Sequence, residues 1–175
     1  WERKYRHSSQ NLTDFELHTI NQGYEVEEAA QDYLEKHVVN ANIGESVQFQ
    51  NTFSDKQFLA RTDGLVFKPK SNSYDLYEIK SSSRNKPEFI SDAAFQYLIV
   101  KKHIKIDLIY ILHLNKDYVR DSALYIENLF VANNISDEVR AHLLEISSKR
   151  EEALKVATSD SPEEIQGCYK PKDCP

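Results

Sequence analysis

Apolar residues recur at roughly helical spacing through Phe15, Leu17, Ile20, Tyr24, Ala30, Tyr33, Leu34 and Val38, which predicts a first helix. Thr13 and Glu16 stand three apart at its start, the pattern of a capping box. Gly23 interrupts the run and predicts either a break and restart or a neighbour packed closely against the glycine. From Ser46 to Lys80 the period changes to two. Val47 and Phe49 alternate with polar residues, Phe58–Arg61 and Leu65–Phe67 favour strand, and residues 69–73 carry turn chemistry before Tyr74–Lys80. These predict a hairpin within a sheet of three or four strands. Pro87 opens a second helix through Phe89, Ile90, Ala93, Ala94, Tyr97 and Leu98, ending near Lys102. Ile104–His113 reads as a buried strand, with further short strands at Tyr118–Arg120 and Leu124–Val131. Ser136 is placed to cap a last helix through Val139, Leu143, Leu144, Ile146 and Leu154. The order predicts an α/β fold with a mixed sheet flanked by helices. Residues 13–157 form its domain, after a flexible lead-in over 1–12 and before an irregular, cysteine-containing tail over 158–175.

Composition narrows the function classes. The chain has 175 residues, enough for one domain, and 40% are hydrophobic, enough for a core. No apolar run approaches the ~18 residues of a membrane span, so no membrane association is expected. Two cysteines cannot build a disulfide framework, which points to a reducing, cytoplasmic setting. The sequence starts at Trp1 and contains no Met, as expected of a piece of a longer protein or a processed one. The net charge of -6 is unevenly spread: residues 56–105 carry 10 Lys/Arg against 5 Asp/Glu, between two acidic flanks. A basic middle of this kind fits either chance patterning of a solvated surface or a phosphate-facing patch. The patch reading makes Arg84, Lys86, Lys101 and Lys102 candidate phosphate contacts. There is no phosphate-binding G-x-x-x-x-G-K-[ST] loop, no nucleophile elbow, and no paired histidines for zinc.

The remaining chemistry lies in Arg61–Leu65 and Tyr74–Ser81. On a strand Glu78 and Lys80 project to one face and Ile79 to the other. A hairpin can return Glu78 alongside Asp63, so that two carboxylates and an ammonium converge. Carboxylates bind hard cations such as Mg²⁺, and a lysine beside them can orient a water or stabilise developing charge. The same spacing also fits an ordinary solvated strand with a Glu78–Lys80 ion pair.

Asp63-Gly64, then Glu78-Ile79-Lys80-Ser81-Ser82, resembles the PD-(D/E)XK nuclease core, and most of all its RecB-like branch. Gln96, in Asp92-Ala93-Ala94-Phe95-Gln96-Tyr97, resembles that branch's glutamine motif. Gly23-Tyr24-Glu25-Val26-Glu27-Glu28 resembles its glycine-led helical segment. The stretch His113–Arg120 is similar to an uncharacterised bacterial group close to CRISPR-associated RecB-like exonucleases. Thr62 stands where the motif has proline, Val100 where the glutamine motif has tyrosine, and Glu27 where His is an alternative ligand.

The resemblance implies a restriction-endonuclease-like core and a metal-dependent nuclease acting on DNA. Mg²⁺ or Mn²⁺ would be held by Glu27, with Glu28 the near alternative, and by Asp63, Glu78 and the Ile79 carbonyl. It further implies that Lys80 orients the attacking water, that Gln96 positions substrate, and that Tyr97 beside it is a nucleic-acid contact. The alternative function is a catalytically silent nucleic-acid-binding or scaffolding module. Related exonucleases hold an iron–sulfur cluster on four cysteines, and Cys168 and Cys174 resemble the start of one. With two ligands, a complete cluster is expected only in a longer chain, and unpaired thiols in this one.

Overall fold

The computed structural model describes residues 13–84 and 86–158. The lead-in, most of the tail and both cysteines lie outside them.

Helix α1 runs Asp14–Tyr33 and opens on the expected capping box, with the Thr13 hydroxyl receiving the Glu16 N–H and Glu16 returning to Thr13 N. It passes straight through Gly23, and a Cβ there would meet no described residue within 4 Å. Neither expectation for Gly23 holds: the helix is continuous there, and no described residue packs closely against the glycine. Glycine in a helix interior costs about 0.5–1 kcal/mol relative to alanine. Gly23→Ala is therefore expected to raise stability by about that amount, read as a higher urea midpoint at unchanged m-value.

Only the second half of α1 packs. Ala30, and Leu34 just after the helix, are buried, whereas Phe15, Leu17, Ile20 and Tyr24 are exposed. A helix of 20 residues spans about 30 Å, and its first half extends past the packed layer. A π-helical turn at Leu34–Val38 then leads into the sheet.

The sheet has five strands in chain order: β1 (Ser46–Asp55), β2 (Phe58–Lys68), β3 (Ser73–Lys80), β4 (Ile106–Leu114) and β5 (Phe130–Asn134). All neighbours are antiparallel except β3 and β4, which are parallel. Helix α2 (Pro87–Val100), with proline at its first turn as expected, makes the crossover between them. A four-residue helix, α3 (Ile126–Leu129), precedes β5, and α4 (Ser136–Thr158) closes the fold.

The sequence expected fewer strands in the sheet and a strand over Leu124–Val131; only its last two residues join the sheet. Tyr118–Arg120 adds no strand. Ser136 does not cap α4. Its hydroxyl instead accepts the Ile109 N–H at 2.9 Å, and Asn134 Oδ1 takes the Ser136 N–H at 3.0 Å.

The two larger of three buried clusters lie on opposite faces of the sheet and make three layers. Ala30 and Leu34 pack with Val66, Tyr77, Leu112 and Phe130 on one face. On the other, Leu65, Leu76, Ile109 and Ile111 pack with Ala93, Ala94 and Leu98 of α2 and Val139 and Ile146 of α4. This is the expected α/β class with a mixed sheet between helices, an arrangement consistent with a restriction-endonuclease-like core. Gly64 lets the π-helical turn after α1 approach: a Cβ there would stand 2.9 Å from Leu34 Cδ1 and 3.5 Å from Tyr77 Cβ. Leu34 is fully buried and has little room to give. Gly64→Val is expected to cost about 1–3 kcal/mol, measurable by chemical denaturation.

Candidate active site

The β2–β3 hairpin turns at residues 69–72 and pairs Gly64 with Tyr77. One position further along the same register, Asp63 falls opposite Glu78. The Asp63 carboxylate accepts the Ile79 N–H at 2.8 Å, which fixes it at the end of the hairpin. Burial, then the nearby Glu78 and, more weakly, Glu27 push its pKa up to about 7, against the opposing Ile79 hydrogen bond.

Glu78 and Lys80 share a face, and the expected ion pair exists at 2.9 Å. It is not a solvated surface pair: Glu78 is only 5% exposed. Burial raises the Glu78 pKa while Lys80 and Gln96 pull it down. Burial alone would lower the Lys80 pKa, but Glu78 and Asp92 outweigh it and hold the ammonium above its ordinary value.

Helix α2 grips this pair at two points one turn apart. Gln96 donates through Nε2 to Glu78 Oε2. Asp92 Oδ2 receives Lys80 Nζ at 3.0 Å. The sequence assigned no role to Asp92. Its place four residues before Gln96, on the same helical face, is the signal that finds it.

Glu27 reaches the site from α1 and is held by Nε2 of Gln50. Nothing in the sequence marks Gln50. It sits between the pairs Phe49–Gly64 and Asn51–Thr62, hence across from Asp63, with a φ of +54° that non-glycine residues rarely adopt. Glu28 lines a separate cleft with Gln31, Gln50 and Arg61, and Tyr24 and Glu27 stand on the rim shared with the main one. That main cleft, of about 360 Å³, is lined by Ile20, Gly23, Tyr24, Glu27, Asp63, Ile79, Lys80 and Ser81. The absent side chain of Gly23 leaves part of it open.

Glu27, Asp63 and Glu78 therefore border one end of the sheet, each carboxylate held by an internal donor. Among the described residues no three His, Cys, Asp or Glu side chains are gathered as a metal ion would hold them. The donor chemistry nevertheless fits a hard divalent cation. All the candidate ligands offer oxygen. Gln50 Oε1 and Gln96 Oε1, each on the amide that holds a carboxylate, are buried without a hydrogen-bond partner.

The candidate nucleic-acid contacts divide by position. Arg84 is on the loop after β3, and Lys86 precedes α2 with its ammonium 5.8 Å from the Phe89 ring. Lys101 and Lys102 lie at the far end of α2. Lys101 stands over the Tyr97 ring at 5.2 Å, and Lys102 pairs with Asp55 at 2.6 Å. Tyr97 is half-buried beside the α2–α4 core.

No protein-family model matches the sequence, and no curated protein matches it. Among solved structures the chain is similar to an alkaline exonuclease from Laribacter hongkongensis, with 19% identity over 85% of this chain and 76% of that chain and a TM-score of 0.44. No helix among the described residues is long and apolar enough to cross a membrane.

Proposed function

We propose that the chain is a metal-dependent nuclease of the PD-(D/E)XK superfamily, RecB-like in its motifs, that hydrolyses phosphodiester bonds of DNA. One observation carries the reading: a buried Asp63 with its pKa pushed up to about 7 lies across from Glu78, beside an ammonium fixed at both ends, on a cleft open to substrate. Buried acids tuned this far concentrate at functional sites. Glu27, Asp63, Glu78 and the Ile79 carbonyl would hold Mg²⁺ or Mn²⁺. Such an ion lowers the pKa of a water and neutralises charge on the phosphodiester.

The chain's own groups do the rest. Lys80, held by Glu78 and Asp92, points its remaining N–H toward a water in the cleft and steadies charge that develops on the phosphate. Gln96 and Gln50 fix the orientations of Glu78 and Glu27. Arg84 and Lys86 meet the strand beyond the cleft, and Lys101 and Lys102 serve the fold rather than the substrate. Ile20 and Tyr24 form an apolar wall that suits base or sugar.

A second reading, a silent nucleic-acid-binding or scaffolding module, is favoured by the internal bonds that already engage all three carboxylates. Incubating the protein with single- and double-stranded DNA in Mg²⁺, Mn²⁺ or EDTA separates the two. The nuclease reading requires metal-dependent degradation that Asp63→Ala abolishes. DNA binding with no cutting under any metal supports the silent module.

A further inference from the structure

Past the carboxylate cleft, the carboxyl ends of the parallel strands β3 and β4 open onto another cleft of about 360 Å³, whose lining includes Ser83, Arg84, His113, Asn115, Lys116 and Asn133. Ends of parallel strands are where open α/β sheets bind ligands. Lys80, on the first cleft, is the register partner of His113, on the second, so residues lining the two clefts stand on neighbouring strands, whose spacing is roughly 4.8 Å. Ser81 lines the first cleft, and Ser83 and Arg84 line the second, so one short loop borders both.

The chemistry of this cleft is that of an anion site. Ten of the seventeen Lys and Arg side chains among the described residues make no ion pair, and Arg84 and Lys116 are the two of those ten that line this cleft. Arg84 and Lys116 make no ion pair among the described residues, even though Asp117 is on the same rim. The wall between them is built from polar side chains. His113 is 7% exposed. Its Nδ1 stands 2.9 Å from the Leu114 carbonyl, which can only accept, so Nδ1 carries the proton. Nε2 then accepts the Asn133 amide at 2.9 Å. The second N–H of that amide and the Ser83 hydroxyl have no partner among the described residues. Two free cations with amide and hydroxyl donors match the oxygens of a phosphate.

We propose that this cleft holds a backbone phosphate of the nucleic-acid strand whose neighbouring phosphodiester lies over Asp63 and Lys80. Lys116 and Asn133 thereby become substrate-binding residues, working with Arg84. The inference rests on the nuclease reading and fixes which way the strand leaves the cutting cleft: across the ends of β3 and β4.

The test uses the Lys80→Ala protein in Mg²⁺, so that the strand survives, and a short fluorescein-labelled single-stranded oligonucleotide read by anisotropy across a salt series. Adding Arg84→Ala or Lys116→Ala is expected to weaken binding roughly 5–10-fold each. Each should lower the slope of log affinity against log salt by about 0.7, the value for one phosphate contact on a single strand. Lys116→Arg should restore both, and Lys155→Ala, on the last turns of α4, should change neither. Unchanged affinity and slope in both variants, in a protein that cuts DNA when Lys80 is present, would overturn this cleft alone. A Lys80→Ala protein that binds no oligonucleotide, from a parent that cuts none, would overturn the nuclease reading with it.

Discussion

Alanine in place of Lys80 is expected to slow metal-dependent DNA cleavage by about 10²–10³-fold, the usual loss when one fixed charge-stabilising donor is removed from a site. KM should move little. The ammonium is bonded to Glu78 at 2.9 Å and to Asp92 at 3.0 Å, so in the resting protein it serves the site rather than the bound strand. Its contribution grows as charge builds on the phosphate, and that is a kcat effect. Lys80→Arg should recover little, because a planar fork cannot occupy the place of a compact ammonium held between two carboxylates. The variant also leaves Glu78 buried without its cation, a destabilising change. Circular dichroism and a melting curve must therefore accompany the kinetics, with the rate measured well below the variant's own melting temperature. Cleavage at the wild-type rate in a folded Lys80→Ala protein would remove the lysine from the mechanism.

The second large effect concerns stability. The Asp63 carboxyl has a pKa of about 7 against an ordinary 3.8. Below the ordinary value it is protonated whether the chain is folded or not. Between the two values the folded protein keeps a proton that the unfolded chain has released. The stability this group favours is therefore full in acid and is lost as pH climbs through about 7. Two results follow for the metal-free protein. Asp63→Asn should melt higher than wild type at pH 8 and close to wild type at pH 4. Mn²⁺, which takes over the work of neutralising the charge, should stabilise wild type more at pH 8 than at pH 5.5. At about a hundred times its dissociation constant a ligand adds about 2.7 kcal/mol, roughly 5–10 °C in Tm for a domain of this size. Asp63→Asn should lose most of that gain. An equal Mn²⁺ shift in both proteins would show that the ion binds elsewhere.

The neighbourhood of Asp63, Glu78 and Lys80 could be read from sequence because its determinants are local. Strand alternation sets which residues share a face, and turn residues at 69–72 set the register that returns Glu78 to Asp63. Gln50 could not be found that way. Its importance comes from a left-handed backbone angle and from a glutamate 23 positions earlier that only the folded chain brings near. Periodicity gave the helix at α1 but not its burial. It shows which residues share a stripe, but not whether anything covers the stripe, and Phe15 is 77% exposed. Leu124–Val131 mixed strand formers with a helical turn, and no local signal separates such short runs. The basic middle of the chain likewise gave composition without direction. Lys102 is drawn to Asp55 near the β1–β2 turn, whereas Arg84 and Lys116 meet at the ends of β3 and β4.

The vacant space beside Gly23 makes that position a dial on the aperture of the cutting cleft. A Cβ there meets no described residue within 4 Å, so side chains of increasing bulk can be tried at this position, and those that enter the cleft should narrow its doorway. A series from alanine to tryptophan would turn substrate width into a measured threshold. A cysteine at the same place, carrying an environment-sensitive dye, would report in real time when a strand enters and when it departs.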